Sequence, residues 1–216
     1  MRSISLRFGA MVLAWLILTG LIFVHELAHW ATALLLGWRA HRLEAGIGPV
    51  LLRLRLFRTR FVFRAAPLFG FVELEPPSSP SRWREATILL AGPIANFALA
   101  LALGAAVWTG AWSINRALGE AFPDGNLYAG LFYALQRNGI AGAKQTIFLT
   151  ASLSFVLGAI NLLPLWPLDG GQAAALLLRR GRGEVPAWFA WTGLTSVAAI
   201  ELVSLFFFFR RHLEGL

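Results

Sequence analysis

Apolar residues run almost unbroken over Phe8–Leu36, Ala86–Gly110, Thr146–Leu168 with Ala173–Leu178, and Ala187–Phe209. A helix needs about 20 such residues to cross a bilayer. The pattern therefore predicts about four transmembrane helices, over 8–36, 86–110, 146–178 and 187–209. The third is broken near 164–171, where Pro164, Pro167, Gly170 and Gly171 interrupt it. Between the first two runs, Leu52-Arg53-Leu54-Arg55-Leu56 and Arg60-Phe61-Val62-Phe63-Arg64 alternate with period two. That texture predicts strands with a turn near Arg58-Thr59, and Leu68–Leu74 is a candidate third strand after Pro67. Glu75-Pro76-Pro77-Ser78-Ser79-Pro80 reads as a linker. The 111–145 loop holds a candidate interfacial helix around Leu127–Leu135. The expected class is an α-helical integral membrane protein, one domain over 1–216. A small β-hairpin or sheet, about 42–75, is expected at the membrane surface between the first two helices.

Composition supports the membrane reading. Hydrophobic residues are 57% and charged residues 14%, against about 25% charged in a soluble chain. Too few polar side chains remain to cover a soluble globule, and disorder needs the opposite balance. A signal peptide fits poorly, because the first apolar run is too long and no small-residue cleavage site follows it.

The net charge of +8 is nearly all arginine, Lys144 being the single lysine. The basic residues cluster just beyond apolar runs, as the positive-inside rule expects. Nine arginines follow the first run and Arg179, Arg180 and Arg182 follow the third; the remaining seven basic residues lie in the termini and the 111–145 loop. This places the Arg39–Arg84 region in the cytoplasm. Membrane lipid is the expected partner of the arginines. Nucleic acid is not, since no basic soluble module is present. The oligomeric state is not legible.

Ionisable groups within a span cost roughly 2.5–3.5 kcal/mol each. His25-Glu26-Leu27-Ala28-His29 places three of them in five residues. At 100° per residue His29 lies about 40° around the helix from His25, and Glu26 about 60° beyond. Two imidazoles one turn apart suit a single Zn²⁺, with a carboxylate beside them to take a proton from the activated water. With no cysteine in the chain, the candidates for a third ligand are His41, His212 and the acidic residues. Asp169 is the best of these, at the end of the broken third run, where irregular backbone lines a cavity or is buried by protein. It could also cap a helix over Gly171–Arg180, with or without that role. Glu201 in the fourth run fits no motif and reads as a packing or partner residue.

The His25–His29 motif in a first span, with Asn161…Pro164…Leu168-Asp169-Gly170 in a late one, resembles the site-2 protease family of intramembrane zinc metalloproteases. Ala45-Gly46-Ile47-Gly48-Pro49 is similar to the family's glycine-rich stretch. Pro67-Leu68-Phe69-Gly70-Phe71-Val72 resembles its Pro-x-Gly-Gly-Tyr-Val stretch, with Phe69 where glycine is common. Ala91-Gly92-Pro93-Ile94-Ala95-Asn96-Phe97 resembles the small-residue segment opening its second core helix. The resemblance implies that His25, His29 and Asp169 ligate zinc and that Glu26 is general base, then acid. It implies that Asn161 holds the substrate or steadies the transition state, and that Asn96, Gly92 and Gly70 line the site. Asn96 reads equally well as a helix–helix hydrogen-bonding residue. The implied substrate is a transmembrane protein, whose unwound strand could pair with the sheet edge. The short 111–145 loop and seven residues after Phe209 imply a minimal member without PDZ or CBS domains.

Two other functions compete. The same His and Asp residues could serve a metal-ion or solute transporter, although no repeated halves are visible. A catalytically silent scaffold for transmembrane helices has no need of the glutamate.

Overall fold

The computed structural model describes residues 2–107, 143–178 and 186–196. They form helix α1 (Arg2–Leu35), strands β1 (Arg39–Leu56) and β2 (Thr59–Glu75), α2 (Arg82–Val107), α3 (Ala143–Asn161), α4 (Asp169–Leu178) and α5 (187–196). The chain divides into two compact units, Met1–Gly158 and Ala159–Leu216. The Leu127–Leu135 helix, Arg179, Arg180, Arg182, Glu201, His212 and most of the fourth apolar run lie outside the described residues.

Two helical stretches are long and apolar enough to cross a membrane, Met11–Leu35 and Arg82–Ala106. The third run is broken between a helix that ends at Asn161 and one that starts at Asp169. Its apolar helical part is Thr146–Asn161, which at 1.5 Å per residue reaches only about 24 Å. The chain then turns through 162–168 before α4 begins, because Pro164 and Pro167 cannot supply helix donors.

In the first unit, α1 ends where Gly37 adopts φ 82°. Trp38 N–H donates to Ala33 O (2.9 Å) and Gly37 N–H to Leu34 O (3.1 Å), a glycine-dependent stop that satisfies the last carbonyls. Trp38 packs with Ala33 and Ile88 against Leu36 and Leu74, so the start of β1, the end of β2 and α2 close on the end of α1. A second core joins Ala14 and Leu21 of α1 to Leu149 and Leu153 of α3, with Leu99 of α2 against it.

β1 and β2 form a two-stranded antiparallel sheet, from Arg39 opposite Glu75 to Leu56 opposite Thr59. The turn falls at Phe57-Arg58, one residue before its expected place, and both residues have positive φ. That backbone matches the twist of a tight hairpin. Leu68–Leu74 is no separate strand but the outer part of β2. Ala66 faces Ile47 and Gly70 faces Ala45, so 67–69 bulge outward, and Pro67 sits where no ladder donor is required. The hairpin also folds on itself: Leu43 is opposite both Val72 and Phe61, and Glu44 both Phe71 and Val62. Gly46 makes the fold possible. Its φ is 99°, and a Cβ there would lie 2.8 Å from Ala66 O.

The sheet lies along α1 rather than beside its end. Trp15 Nε1 donates to Ala65 O (2.6 Å), and Trp30 Nε1 to Thr59 Oγ1 (3.0 Å). Between them Phe23 meets Phe63 and Phe61, with ring centroids 5.2 and 6.3 Å apart. The fifteen residues from Trp15 to Trp30 rise about 22 Å. The inward face of the alternating strands is aromatic, and that face needs a long apolar partner. Outward, Arg53, Arg55, Arg58 and Arg60 are exposed.

Candidate metal centre

His25, Glu26 and His29 are each about 5–6% exposed, the two histidines against α2 and the glutamate against β2. His29 Nδ1 lies 2.7 Å from Ile88 O. A carbonyl only accepts, so Nδ1 carries a proton, the tautomer whose neutral form has its lone pair on Nε2. That Nε2 lies 3.1 Å from His25 Nε2, with the two rings at 80°. The two nitrogens therefore converge on one point. Nitrogens each about 2.0–2.1 Å from a tetrahedral zinc would lie about 3.3 Å apart, so the pair fits with little movement.

Gly92 keeps that point open. A Cβ there would overlap His29 Nε2 and lie 2.7 Å from His25 Nε2. The next residue, Pro93, is fully buried within α2. Gly158 of α3 approaches the same segment, its would-be Cβ 3.1 Å from Pro93 O. Asn96, one turn on, is fully buried, and its Nδ2 donates to His25 Nδ1 (3.2 Å). Ser154 Oγ donates to the Asn96 carbonyl (2.9 Å), tying α3 to this turn. Gly70 of β2 meets the other side of the motif, where a Cβ would lie 2.6 Å from Glu26 Oε1 and 2.7 Å from Ile22 Cγ2. The motif, Gly92, Asn96 and Gly70 are thus assembled within one unit.

The other two predicted residues belong to the second unit. Asn161 is the last residue of α3, half-buried; Asp169 is buried and opens α4. Gln172 N–H donates to Leu168 O (2.8 Å), so Leu168 holds the cap position and Asp169 the first turn. A carboxylate there is favoured by the helix dipole. Gln172 Nε2 also donates to Pro167 O (2.9 Å), fixing the entry to α4. Gly170 and Gly171 pack on the backbone of Leu162 and Leu165 with no room for a Cβ.

Of the remaining ligand candidates, His41 stands half-exposed on β1, its Nε2 2.8 Å from Glu75 Oε2. Glu44 is engaged elsewhere. Arg64 Nε and Nη2 donate to its two oxygens at 2.8 and 3.2 Å, and Arg42 Nη1 lies 3.1 Å away. The hydrogen bond from Arg64 holds the Glu44 carboxyl below the usual carboxylate range against the opposing effect of burial, and the charge of Arg42 adds to it. Sequence reasoning missed this pair and also the Ile88 carbonyl. A backbone acceptor has no side-chain signature, and only the fold brings Arg64 to Glu44.

Two histidines and a glutamate on one buried turn of an apolar helix make a candidate metal centre of the His-Glu-x-x-His type, lodged between a helix and a sheet. The chain belongs to Peptidase family M50, the site-2 protease family, whose family model matches residues 13–204. It is 35% identical over 134 residues to a candidate zinc metalloprotease of Ralstonia nicotianae, covering 50% of this chain and 29% of that protein. A candidate zinc metalloprotease of Nostoc sp. is 36% identical over 101 residues, covering 40% and 28%. Another, of Clostridium acetobutylicum, is 32% identical over 108 residues, covering 45% and 32%. The chain thus matches about a third or less of the length of these relatives. Zinc is the metal that their names carry.

Proposed function

We propose that this chain is a membrane-embedded zinc metalloprotease that hydrolyses a peptide bond within or near a transmembrane segment of another membrane protein. The observation that carries the reading is the convergence of the two Nε2 atoms at 3.1 Å, beside a buried glutamate on a helix long enough to cross a membrane. Two imidazoles and a carboxylate, all buried, form the proposed ligand set: His25, His29 and Asp169. That donor chemistry suits zinc, which supplies a Lewis acid that polarises the scissile carbonyl and acidifies water.

The chain's own groups do the rest. Glu26 takes a proton from the attacking water as its oxygen bonds to the carbonyl carbon. It then delivers that proton to the leaving amine as the C–N bond breaks. Asn161 holds the substrate backbone near the reacting bond. The 70–75 segment of β2 pairs with 39–45 on one side, and an unwound substrate strand would add to its other edge beside Gly70. Outward arginines of the hairpin meet lipid headgroups, and the excess of arginine in 39–84 and 179–182 sets the centre toward the cytoplasm.

The test is co-expression with single-span membrane proteins, comparing wild type with Glu26→Gln. The variant should bind zinc normally and lose cleavage by about 10²-fold or more. Retained turnover would sink the assigned mechanism, and zinc-linked ion flux in liposomes without cleavage would favour a transporter.

A further inference from the structure

We propose that Gly193 is a positioning residue for Asp169: it lets α5 bear directly on the backbone of Trp166, and that contact fixes the loop from which the carboxylate is presented. The inference rests on the zinc reading above and concerns residues of the second unit alone. Residues 162–168 run from the end of α3 to the start of α4, immediately before Asp169. Close backbone approaches at glycines set the course of this loop. A Cβ on Gly170 would overlap Leu162 O, and one on Gly171 would overlap Leu165 O and lie 2.5 Å from Trp166 N. Gly193 meets the same peptide from α5. A Cβ there would overlap Trp166 N and lie 2.6 Å from Trp166 O and 2.8 Å from its Cα. Two helices thus close on Trp166, each through a glycine. Asp169 lies within this stack, three residues after Trp166 and two before Gly171.

Glycine inside a helix costs about 1 kcal/mol relative to alanine, so its place on α5 calls for a reason. Among the described residues of α5, Gly193 alone is buried. Trp188, Trp191 and Leu194 around it are 64%, 65% and 45% exposed. Thr192, Thr195 and Ser196 turn their hydroxyls back onto carbonyls of the same helix. The helix is therefore seated on the loop at its glycine. The atoms in the way of a methyl group are all main-chain atoms of Trp166, which cannot swing aside as a side chain can. Ordinary contact with a Cβ begins near 3.4 Å, so the required shift exceeds roughly 0.5 Å, the tolerance within which a site's ligands must be held. Either α5 lifts from the loop or the loop shifts against α4. Both movements disturb the setting of Asp169.

The experiment uses the full chain in detergent or nanodiscs, with zinc as the probe and chelator competition as the readout. Gly193→Ala should weaken zinc binding about 10-fold or more, as losing a ligand's outer support does. In an Asp169→Ala background the same change should shift affinity by no more than about twofold, the scatter of independent sites. With cobalt in place of zinc, the visible spectrum of Gly193→Ala should move toward that of Asp169→Ala. A merely structural glycine would cost equal affinity in both backgrounds and leave the cobalt spectrum unmoved, and either result overturns the proposal. Thr192→Ala, on the exposed side of α5, should bind zinc as wild type does; an equal loss there also overturns it. Linkage is reciprocal, so wild type carries the test even where Gly193→Ala does not fold. Zinc should slow amide exchange over 187–196 in wild type and not in Asp169→Ala, and exchange unmoved by zinc in wild type overturns the proposal. Wild type that binds no zinc overturns the zinc reading and this proposal together, whereas tight zinc binding that is undiminished in Gly193→Ala overturns this proposal alone.

Discussion

Gly92 faces His25 so closely that a Cβ built on it would lie 2.7 Å from His25 Nε2, on the point where the two imidazoles converge. The glycine is therefore part of the cradle. Gly92→Ala should reduce zinc affinity by a factor on the order of 10² or more, exceeding the usual loss from an outer partner. Chelator competition measures it, with thermal unfolding as the control. Unchanged affinity would mean that the ligands converge elsewhere.

Gly70 controls Glu26 in a similar way. A methyl group there would meet Oε1 and Cγ of the glutamate at 2.6 and 2.7 Å. Gly70→Ala should turn the carboxylate aside and lower kcat about 10-fold or more while zinc content stays normal, since a displaced base forfeits part of its 10²–10⁴-fold contribution. Equal loss of zinc and turnover would argue against this separation of roles.

Glu44 makes stability depend on acid. Its pKa is lowered in the folded protein, chiefly by the hydrogen bond from Arg64. A depressed carboxylate stabilises the fold fully above its unfolded value, near 4.5, and that stabilisation fades as pH falls through the folded value. Glu44→Gln should therefore melt below wild type at neutral pH. The difference should shrink as pH falls below about 4.5, which a series of melting curves would reveal.

Thr59 joins the hairpin turn to α1. It is fully buried, accepts from Trp30 Nε1 at 3.0 Å and donates to Ala40 O at 2.8 Å. Thr59→Val leaves both partners unsatisfied and should cost about 1–3 kcal/mol, while Thr59→Ser should recover most of it. Denaturant titration of the two variants tests the pair.

His41→Ala should leave zinc content unchanged. The imidazole is half-exposed against Glu75, and such surface pairs contribute at most about 1 kcal/mol. Loss of zinc in this variant would reopen the ligand assignment.

The long apolar helices, the alternating strands and the His25–Glu26–His29 turn were legible because each obeys a local period. Helical spacing alone puts residues 25 and 29 on one face, and alternation alone separates Phe61 and Phe63 from Arg60 and Arg64. The break before Asp169 was legible from two prolines and two glycines, though α4 starts earlier than a cap at Asp169 would place it. The long β2 was not legible, since Pro67 mimics a strand boundary until the bulge beside it absorbs the missing donor.

What the sequence by itself determined is the medium and the chemistry available: apolar helices, and two imidazoles with a carboxylate on one turn. What only the tertiary structure decided is their state. Ile88, 59 positions from His29, selects its tautomer, and Asn96, 71 positions from His25, meets the other ring. Gly92 and Gly70 matter for atoms they lack, against neighbours brought close by folding. No local period encodes those meetings, because hydrogen-bond direction and steric exclusion act between atoms that only packing makes adjacent.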